Sequence, residues 1–498
     1  MMKRIAQACG FAAILLLPNY IDITSSASDS RMRFAFPLTK IALAHLLDLA
    51  IVAAVFGCTM WVLRRLKAWP YIRWALFLVL PPFLFVSNLS VFPFEVPNAV
   101  VLGAIALWIA VVGLLILRAP AFAIKLRQAG SAVLTGIAVF AIVIASQLIR
   151  VALWRPGPQT FAAQIPARPA NRPRLIWILF DELAYKPAFE SRDPSLSLPN
   201  FDRLRSESTI YTDIMPIGYR TMEVVPSLQL GRVVTGVNYT AGHRYLVQID
   251  NSSDWKPFDV NASLFGLAKQ LGVTTSIVGW YVAYCPIFVD VATECYWSDR
   301  DTQDSGPTSP DASFSENVWL PLHMLTEQLT SPAKAREGIA ERNAEGHIAS
   351  VKDVGQHALA TLANSQADLI YLHLPAPHPP AFWDRRTQQF APRGSYLDSL
   401  DYSDRLLGQM LDVLASQPRW AATAIVVQGD HSWRTQMWRP LPGWSEEDER
   451  ISHKGQWDSR PVLLIHTAGQ QSAESLTSPT SLMLVHDFVA AQIRAMAR

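Results

Sequence analysis

Cysteine is scarce in this 498-residue chain: there are four, and no Cys-x-x-Cys pair that would suggest a thiolate metal site. An excess of charge of one sign is missing as well. Lys and Arg number 43 against 41 Asp and Glu, a formal net charge of +2. The basic residues cluster at loop positions near apolar runs and form no extended patch, so no nucleic-acid partner is expected. Tandem repeats and low-complexity tracts are absent. No small-x-small cleavage site stands near Asn19–Ser30, which argues against Ile5–Leu17 being a removable signal-peptide core.

What the chain has in surplus is apolar sequence. Half of it is hydrophobic (50%), and the excess falls within residues 1–155, while the rest reads as a soluble domain. A chain this long exceeds one ordinary core, so two or three domains are expected. Ile5–Leu17, Ile41–Leu63, Trp74–Val91, Ala99–Leu117 and Ala132–Trp154 read as about five membrane helices, the last four near the roughly 20 residues needed to cross hydrocarbon. Pro81 and Pro82 would kink one of them, which a bundle tolerates. Arg64, Arg65, Lys67 and Arg73 mark one cytoplasmic loop, and Arg118, Lys125 and Arg127 a second; Asn88–Asn98 carries no Lys or Arg. Arg31, Arg33 and Lys40 in the first outer loop pull mildly the other way. Five spans with the N-terminus inside describe a multi-pass inner-membrane protein whose chain after Arg155 is periplasmic.

Residues 156–173 are Pro- and Ala-rich without periodicity and read as a linker. From 174 to 498, strand-like runs (Leu175–Phe180, Thr209–Met215, Thr274–Trp280, Leu369–Leu374, Ala424–Val427, Val462–His466) alternate with helical patterns (Phe201–Glu207, Leu264–Leu271, Ile348–Asn364, Leu397–Ser416). Such alternation predicts an α/β domain with a mostly parallel sheet covered by helices on both faces.

Two of these runs end in metal-capable side chains. Arg174–Leu183, RLIWILFDEL, delivers Asp181 and Glu182; Ala424–Ser432, AIVVQGDHS, delivers Asp430 and His431. Open α/β sheets bind ligands outside the carboxyl ends of their strands, which brings distant tips together. A metal site at a sheet edge is the natural reading; a helix N-cap for Asp181 and a solvated turn for Asp430-His431 are the bland ones. Thr221 and Ser227 lie where the chain leaves a strand and turns into a helix, whose N-terminus suits a phosphate or sulfate oxyanion. Plain capping by Thr221 competes with that role.

A family resemblance joins these pieces. RLIWILFDEL, LPNFDRL, RTMEVVPSLQLGRVVTG, LFGLAKQLGVTTSIVGWY, YLHLPAPHPP, SYLDSLDYSDRLLGQMLDVL, IVVQGDHSW and HKGQWDSRPVLLI occur in the order seen in the sulfatase-like branch of the alkaline phosphatase superfamily. The chain looks most like its membrane-tethered phosphoethanolamine transferases and lipoteichoic acid synthases. The resemblance implies a sulfatase-like α/β sandwich after the transmembrane bundle. It makes Asp181 a metal ligand where the transferases usually have Glu, and Thr221 both nucleophile and ligand. Asp430 and His431 become paired ligands, and His378, His453 and Lys454 contacts of the transferred group or leaving oxygen. Glu182 is either a further ligand or a supporting group. Sulfatases build an aldehyde nucleophile from Cys or Ser in a Cys/Ser-x-Pro-x-Arg context, which the Thr221 segment lacks, so phosphoryl transfer is expected rather than sulfate-ester hydrolysis.

Mixed Asp, His and hydroxyl ligation fits a divalent metal such as Zn or Mn. The expected reaction passes a phospho-headgroup from a membrane lipid donor to an envelope glycan or lipid acceptor. Hydrolysis through the same Thr221, by a phosphodiesterase or sulfuric-ester hydrolase, is one alternative, and an inactive envelope-assembly protein is another. Cys285 and Cys295 are expected to pair in an oxidising compartment, while Cys9 and Cys58 lie in spans. His243 and His357 read as structural or solvent-facing. Trp433, Trp438, Trp444 and Trp457 read as a packed loop, or as one lying on the membrane surface, with the acidic run 446–449 a solvated face.

Overall fold

The computed structural model describes residues 2–24, 37–89, 96–239, 245–298, 312–330 and 332–497. Arg31, Arg33, His243 and most of the Asn88–Asn98 loop lie outside that set. The chain divides into two units, one holding 1–30, 36–155 and 304–336, the other 31–35, 156–303 and 337–498.

In the first unit the apolar runs form helices α1 (Met2–Leu15), α2 (Leu17–Thr24), α3 (Thr39–Leu63), α4 (Trp69–Ser87), α5 (Asn98–Arg118), α6 (Pro120–Gly136) and α7 (Ala138–Leu153). Among the described residues four helical stretches are long and apolar enough to cross a membrane: Thr39–Leu63, Trp69–Ser87, Ala99–Arg118 and Pro120–Leu153. The first expected span differs. α1 has 14 residues, roughly 21 Å of helix against a hydrocarbon core of about 30 Å. The helix breaks at Leu16, and Pro18, which has no N–H to give, sits in the first turn of α2. α1 packs against α3, α6 and α7, with Phe11, Ala12, Leu15 and Leu16 buried. Phe314–Thr330, within the range expected to be soluble, packs on α3 and α4 instead. On α3, His45 and Asp48 are fully buried 3.5 Å apart.

The second unit is built on a nine-stranded sheet: β1 (Thr160–Ala162), β2 (Arg174–Phe180), β3 (Thr209–Tyr211), β4 (Thr275–Trp280), β5 (Glu294–Ser298), β6 (Leu369–Leu374), β7 (Thr423–Gly429), β8 (Leu463–His466) and β9 (Glu474–Leu476). Spatial order is β1-β5-β4-β6-β2-β7-β8-β3-β9. The run β5-β4-β6-β2-β7 is parallel throughout; antiparallel pairs sit toward the edges. All seven β2 residues are buried, because period-two side chains feed two cores. Leu175, Trp177 and Leu179 join one face's core, with helices α8 (Thr221–Leu230), α9 (Leu264–Gln270) and Leu484–Met496. Ile176, Ile178 and Phe180 join the other, under Pro332–Asn364 and Tyr396–Ala415.

The expected linker is partly docked. Thr160–Ala162 pairs with β5, Trp297 Nε1 donates to the Pro158 carbonyl at 3.1 Å, and Arg168 and Arg172 pair with buried Asp368. Cys285 and Cys295 form a disulfide.

Candidate active site at the carboxyl edge of the sheet

Strand register builds the site. Gly429 of β7 and Leu374 of β6 both stand opposite Phe180 of β2, so Asp430 and Asp181 leave neighbouring strands at one level. Gly429 is demanded by close approach: a Cβ there would lie 2.4 Å from the Leu183 carbonyl oxygen. The Glu182 N–H donates to Asp430 Oδ1 at 3.0 Å, locking tips 248 positions apart.

Asp181, Asp430 and His431 are buried, and their ligand atoms lie within 4.8 Å of one another. His431 Nε2 is 3.2 Å from Asp430 Oδ2 and 3.9 Å from Asp181 Oδ1. Asp430 Oδ2 accepts no hydrogen bond from any described residue. Two carboxylates this close and out of water repel each other and lose hydration. The neighbouring cation, Arg434, is spent on Glu182. The donor set therefore fits a divalent cation.

Thr221 is the first residue of α8, and the N-cap position belongs to Arg220, which is extended and makes no side-chain cap. Capping thus leaves Thr221 free for other work. Its Oγ1 donates to Asp181 Oδ2 at 3.2 Å and stands 3.5 Å from His431 Nε2. Ser227 plays a structural part, since its hydroxyl donates to the Glu223 carbonyl at 2.6 Å and accepts from the Val234 N–H at 2.8 Å.

Glu182 supports the cluster without joining it. Its φ of 61° is left-handed, a conformation that costs a non-glycine residue roughly 1–2 kcal/mol. Tyr396 steadies that turn, donating to the Glu182 carbonyl at 2.6 Å and accepting from the Ala184 N–H at 3.0 Å. The turn aims the Glu182 carboxylate at Arg434 and at Trp438 Nε1, 2.9 Å away. Arg434 Nη2 in turn reaches 3.4 Å from His378 Nε2.

His378 is buried between two cis bonds, Ala376–Pro377 and Pro379–Pro380. Burial pushes its imidazole well below the usual range, and the Arg434 charge adds to this. The ring is therefore neutral near pH 7, suited to hydrogen bonding rather than to donating a proton as imidazolium. His453 and Lys454 lie elsewhere than the cluster itself. Both are exposed, in a left-handed turn after the helix Glu446–Ile451. That turn flanks the site: Trp457 packs edge-on against Tyr219 at 4.9 Å, and Thr435 Oγ1 donates to the Gly455 carbonyl at 3.0 Å.

Three contributors escaped the sequence reading. His373 on β6 places Nε2 3.5 Å from Asp181 Oδ2 and Nδ1 2.8 Å from the Tyr284 hydroxyl; burial lowers its pKa to about 4. A histidine inside the apolar run YLHL was its signal. Arg434, close behind Asp430-His431, and Tyr396 carried no pattern of their own. His357 stacks on Tyr296 at 3.5 Å, as a structural residue. The tryptophans form a packed loop: Trp433 is sandwiched between Tyr396 and Trp444, and Trp438 is buried on Glu182. The acidic run is no solvated face either, since Glu447 pairs with Arg385, Glu449 with Arg439, and Asp448 accepts from the Tyr396 N–H.

Solved structures are similar to this chain at low identity. A sulfatase from Pseudoalteromonas sp. is 13% identical over 65% of this chain and 68% of that chain, with a TM-score of 0.41. An alkaline phosphatase superfamily protein from Vibrio parahaemolyticus is 15% identical over 64% and 67%, TM-score 0.37. A phosphonate monoester hydrolase from Agrobacterium radiobacter is 11% identical over 65% and 74%, TM-score 0.33. No curated protein is significantly similar in sequence. The sulfatase family matches residues 173–493, a span that covers more than half of the chain and contains Thr221 and the Asp181–Asp430–His431 cluster. The protein belongs to the sulfatase family.

Proposed function

We propose that the protein transfers a phospho-headgroup, of phosphoethanolamine or phosphoglycerol type, from a membrane lipid donor to an envelope glycan or lipid acceptor through Thr221. The observation that carries this reading is the Thr221 hydroxyl, free of helix capping and hydrogen-bonded to Asp181 beside His431. Asp181, Asp430, His431 and Thr221 would hold the divalent cation, zinc or manganese by donor type. When bound, such a cation makes a hydroxyl acidic enough to attack near neutral pH and offsets phosphoryl charge.

The protein's own groups orient and move protons. Asp181 Oδ2, already accepting the Thr221 hydroxyl hydrogen, takes that proton as the Oγ–phosphorus bond forms. The bond from phosphorus to the diacylglycerol oxygen breaks in the same displacement, and the departing oxygen takes a proton from the solvent side, where His453 and Lys454 stand exposed. An acceptor hydroxyl then attacks phosphorus as the bond from phosphorus to Thr221 Oγ1 breaks; Asp181 hands its proton back to the Thr221 oxygen, and the acceptor's proton passes to solvent, replacing the one taken by the diacylglycerol oxygen. Positioning and charge compensation suffice for phosphoryl chemistry of this kind. A threonine cannot become the aldehyde that sulfate-ester hydrolysis by the usual family route requires. The Cys285–Cys295 disulfide and the four apolar helices support an extracytoplasmic domain on a membrane anchor.

Full-length protein incubated with labelled phosphatidylethanolamine or phosphatidylglycerol should release diacylglycerol and leave a headgroup phosphate on the Thr221 peptide, detected by mass spectrometry. Thr221→Ala and chelator treatment should each abolish both products. Release of headgroup phosphate to water, with no transfer to envelope acceptors, would instead make the protein a phosphodiesterase. Undiminished turnover by Thr221→Ala would end the covalent reading.

A further inference from the structure

A cleft of about 620 Å³ lies beside the cluster, and neither the three cluster residues nor Thr221 line it. Its walls come from the segment after β2, the segment after β7 and the turn 450–458. Ser432, next to His431, lines one side, and Trp457, packed against Tyr219 just ahead of Thr221, lines the other. The cleft thus borders the chemistry at two points, through Ser432 beside His431 and through Tyr219, two residues before Thr221.

Its polar inventory is one-sided. Ser432 Oγ, Trp433 Nε1 and Trp457 Nε1 have no hydrogen-bond partner among the described residues, and Ser432 and Trp433 are 1% and 5% exposed. An indole N–H only donates, and a buried donor left unpaired costs roughly 1–3 kcal/mol, so the ligand that completes this wall brings acceptor oxygens. Lys186, also in the lining, forms no direct ion pair with any described residue, though its charge helps lower the Asp458 carboxyl; the two carboxylates present are held by other groups, Asp193 by Ser195 and Arg450, Asp458 by Arg460. An ammonium without a direct ion-pair partner, beside unpaired donors, selects an oxyanion over a neutral polar group.

We propose that this cleft is an anion subsite that receives a phosphate-bearing group of the acceptor, held by Lys186, Ser432 and the Trp433 and Trp457 indoles. Calling the occupant an acceptor rests on the transfer reading above; the anion preference rests on the cleft alone.

Metal-stripped full-length protein separates this cleft from the metal centre. Quenching of tryptophan fluorescence by glucose 1-phosphate should be saturable, and glucose should be inert. Lys186→Gln and Trp457→Phe, which keeps the ring and removes the N–H, should each raise the Kd about tenfold, while Thr221→Ala should leave it unchanged. Vesicles of phosphatidylglycerol, titrated in parallel, show whether a lipid phosphate occupies the cleft in place of a sugar phosphate. Equal binding of glucose, or unaltered Kd in both cleft variants, would overturn the proposal. A Thr221 adduct without phosphate binding sinks the subsite alone, and phosphate binding without an adduct sinks the transfer reading alone.

Discussion

Burial decides the protonation of single residues around this site, and one of them makes stability depend on pH. His347, fully buried behind the His378 loop, is 2.8 Å from the His378 carbonyl through Nε2. Loss of hydration lowers its pKa to about 4, the hydrogen bond opposing only in part. Unfolding returns the ring to its ordinary value of about 6.5. Between those two values the unfolded chain holds a proton that the folded chain does not, so stability falls as pH drops from about 6.5 to about 4 and is flat above that window. His373, also lowered to about 4, acts in the same window and sense. Each contributes at most roughly 3 kcal/mol. The thermal midpoint should therefore fall on acidification through this range, and His347→Gln should show a shallower acid slope than the parent. An identical slope would show that His347 is protonated without cost in the fold.

At the scale of elements, the link between β4 and β5 is short and covalently bridged. These strands are parallel neighbours, yet only a five-residue helix, Tyr284–Phe288, and a short turn join them. The Cys285–Cys295 disulfide, spanning a separation of 10, closes that connection over buried Phe288 and Trp297. Loop-closure entropy for a ring of this size is about 2 to 3 kcal/mol. The double replacement Cys285→Ala/Cys295→Ala should lower the thermal midpoint by several degrees, and reductant should then produce no further drop; a midpoint indifferent to both would mean the bridge carries no stability. This pairing was legible in the sequence, as were the runs RLIWILFDEL and AIVVQGDHS, because a strand buried on both faces must be apolar throughout and so makes its acidic tip conspicuous. Other elements left weaker traces. The helix Pro332–Asn364 begins well before the expected Ile348, since its first half has no apolar stripe to read. The run Thr209–Met215 is broken into Thr209–Tyr211 and Ile214–Met215 on different sheets, which no local pattern announces. Thr221 was legible only through family resemblance, because the first turn of any helix is a common place for a hydroxyl. Arg434 acquires its role from a tertiary partner, Glu182, that its own neighbours in sequence do not reveal.

The whole molecule turns on which side of the membrane the catalytic unit lies, and contacts inside the bundle bear on this. Arg127 lies over the Trp74 ring at 4.9 Å, which brings the basic cluster after α3 and the basic cluster starting α6 to one end of the bundle. Arg64 and Arg65 stack there on Trp69 and Trp61, the mix of cations and tryptophan typical of an interface. Lys125 and Arg127 prove to be helical rather than in a loop, which moves the charges but not the end at which they sit. At the other end Thr39 Oγ1 donates to the Ala152 carbonyl at 2.7 Å, so the start of α3 and the exit of α7 lie together, away from those cations. If the cation-rich end faces the cytoplasm, the chain leaves α7 on the opposite side, where the disulfide can form and where the proposed envelope acceptor would be. Fusion of a reporter after Pro156 reads this directly. A reporter active only outside the cytoplasm should give full signal there, and one that fluoresces only inside should stay dark; moved to Lys67, the two should exchange behaviour. A cytoplasmic signal after Pro156 would leave the disulfide in a reducing compartment and the site facing the wrong leaflet, and the envelope acceptor would have to be abandoned along with the topology.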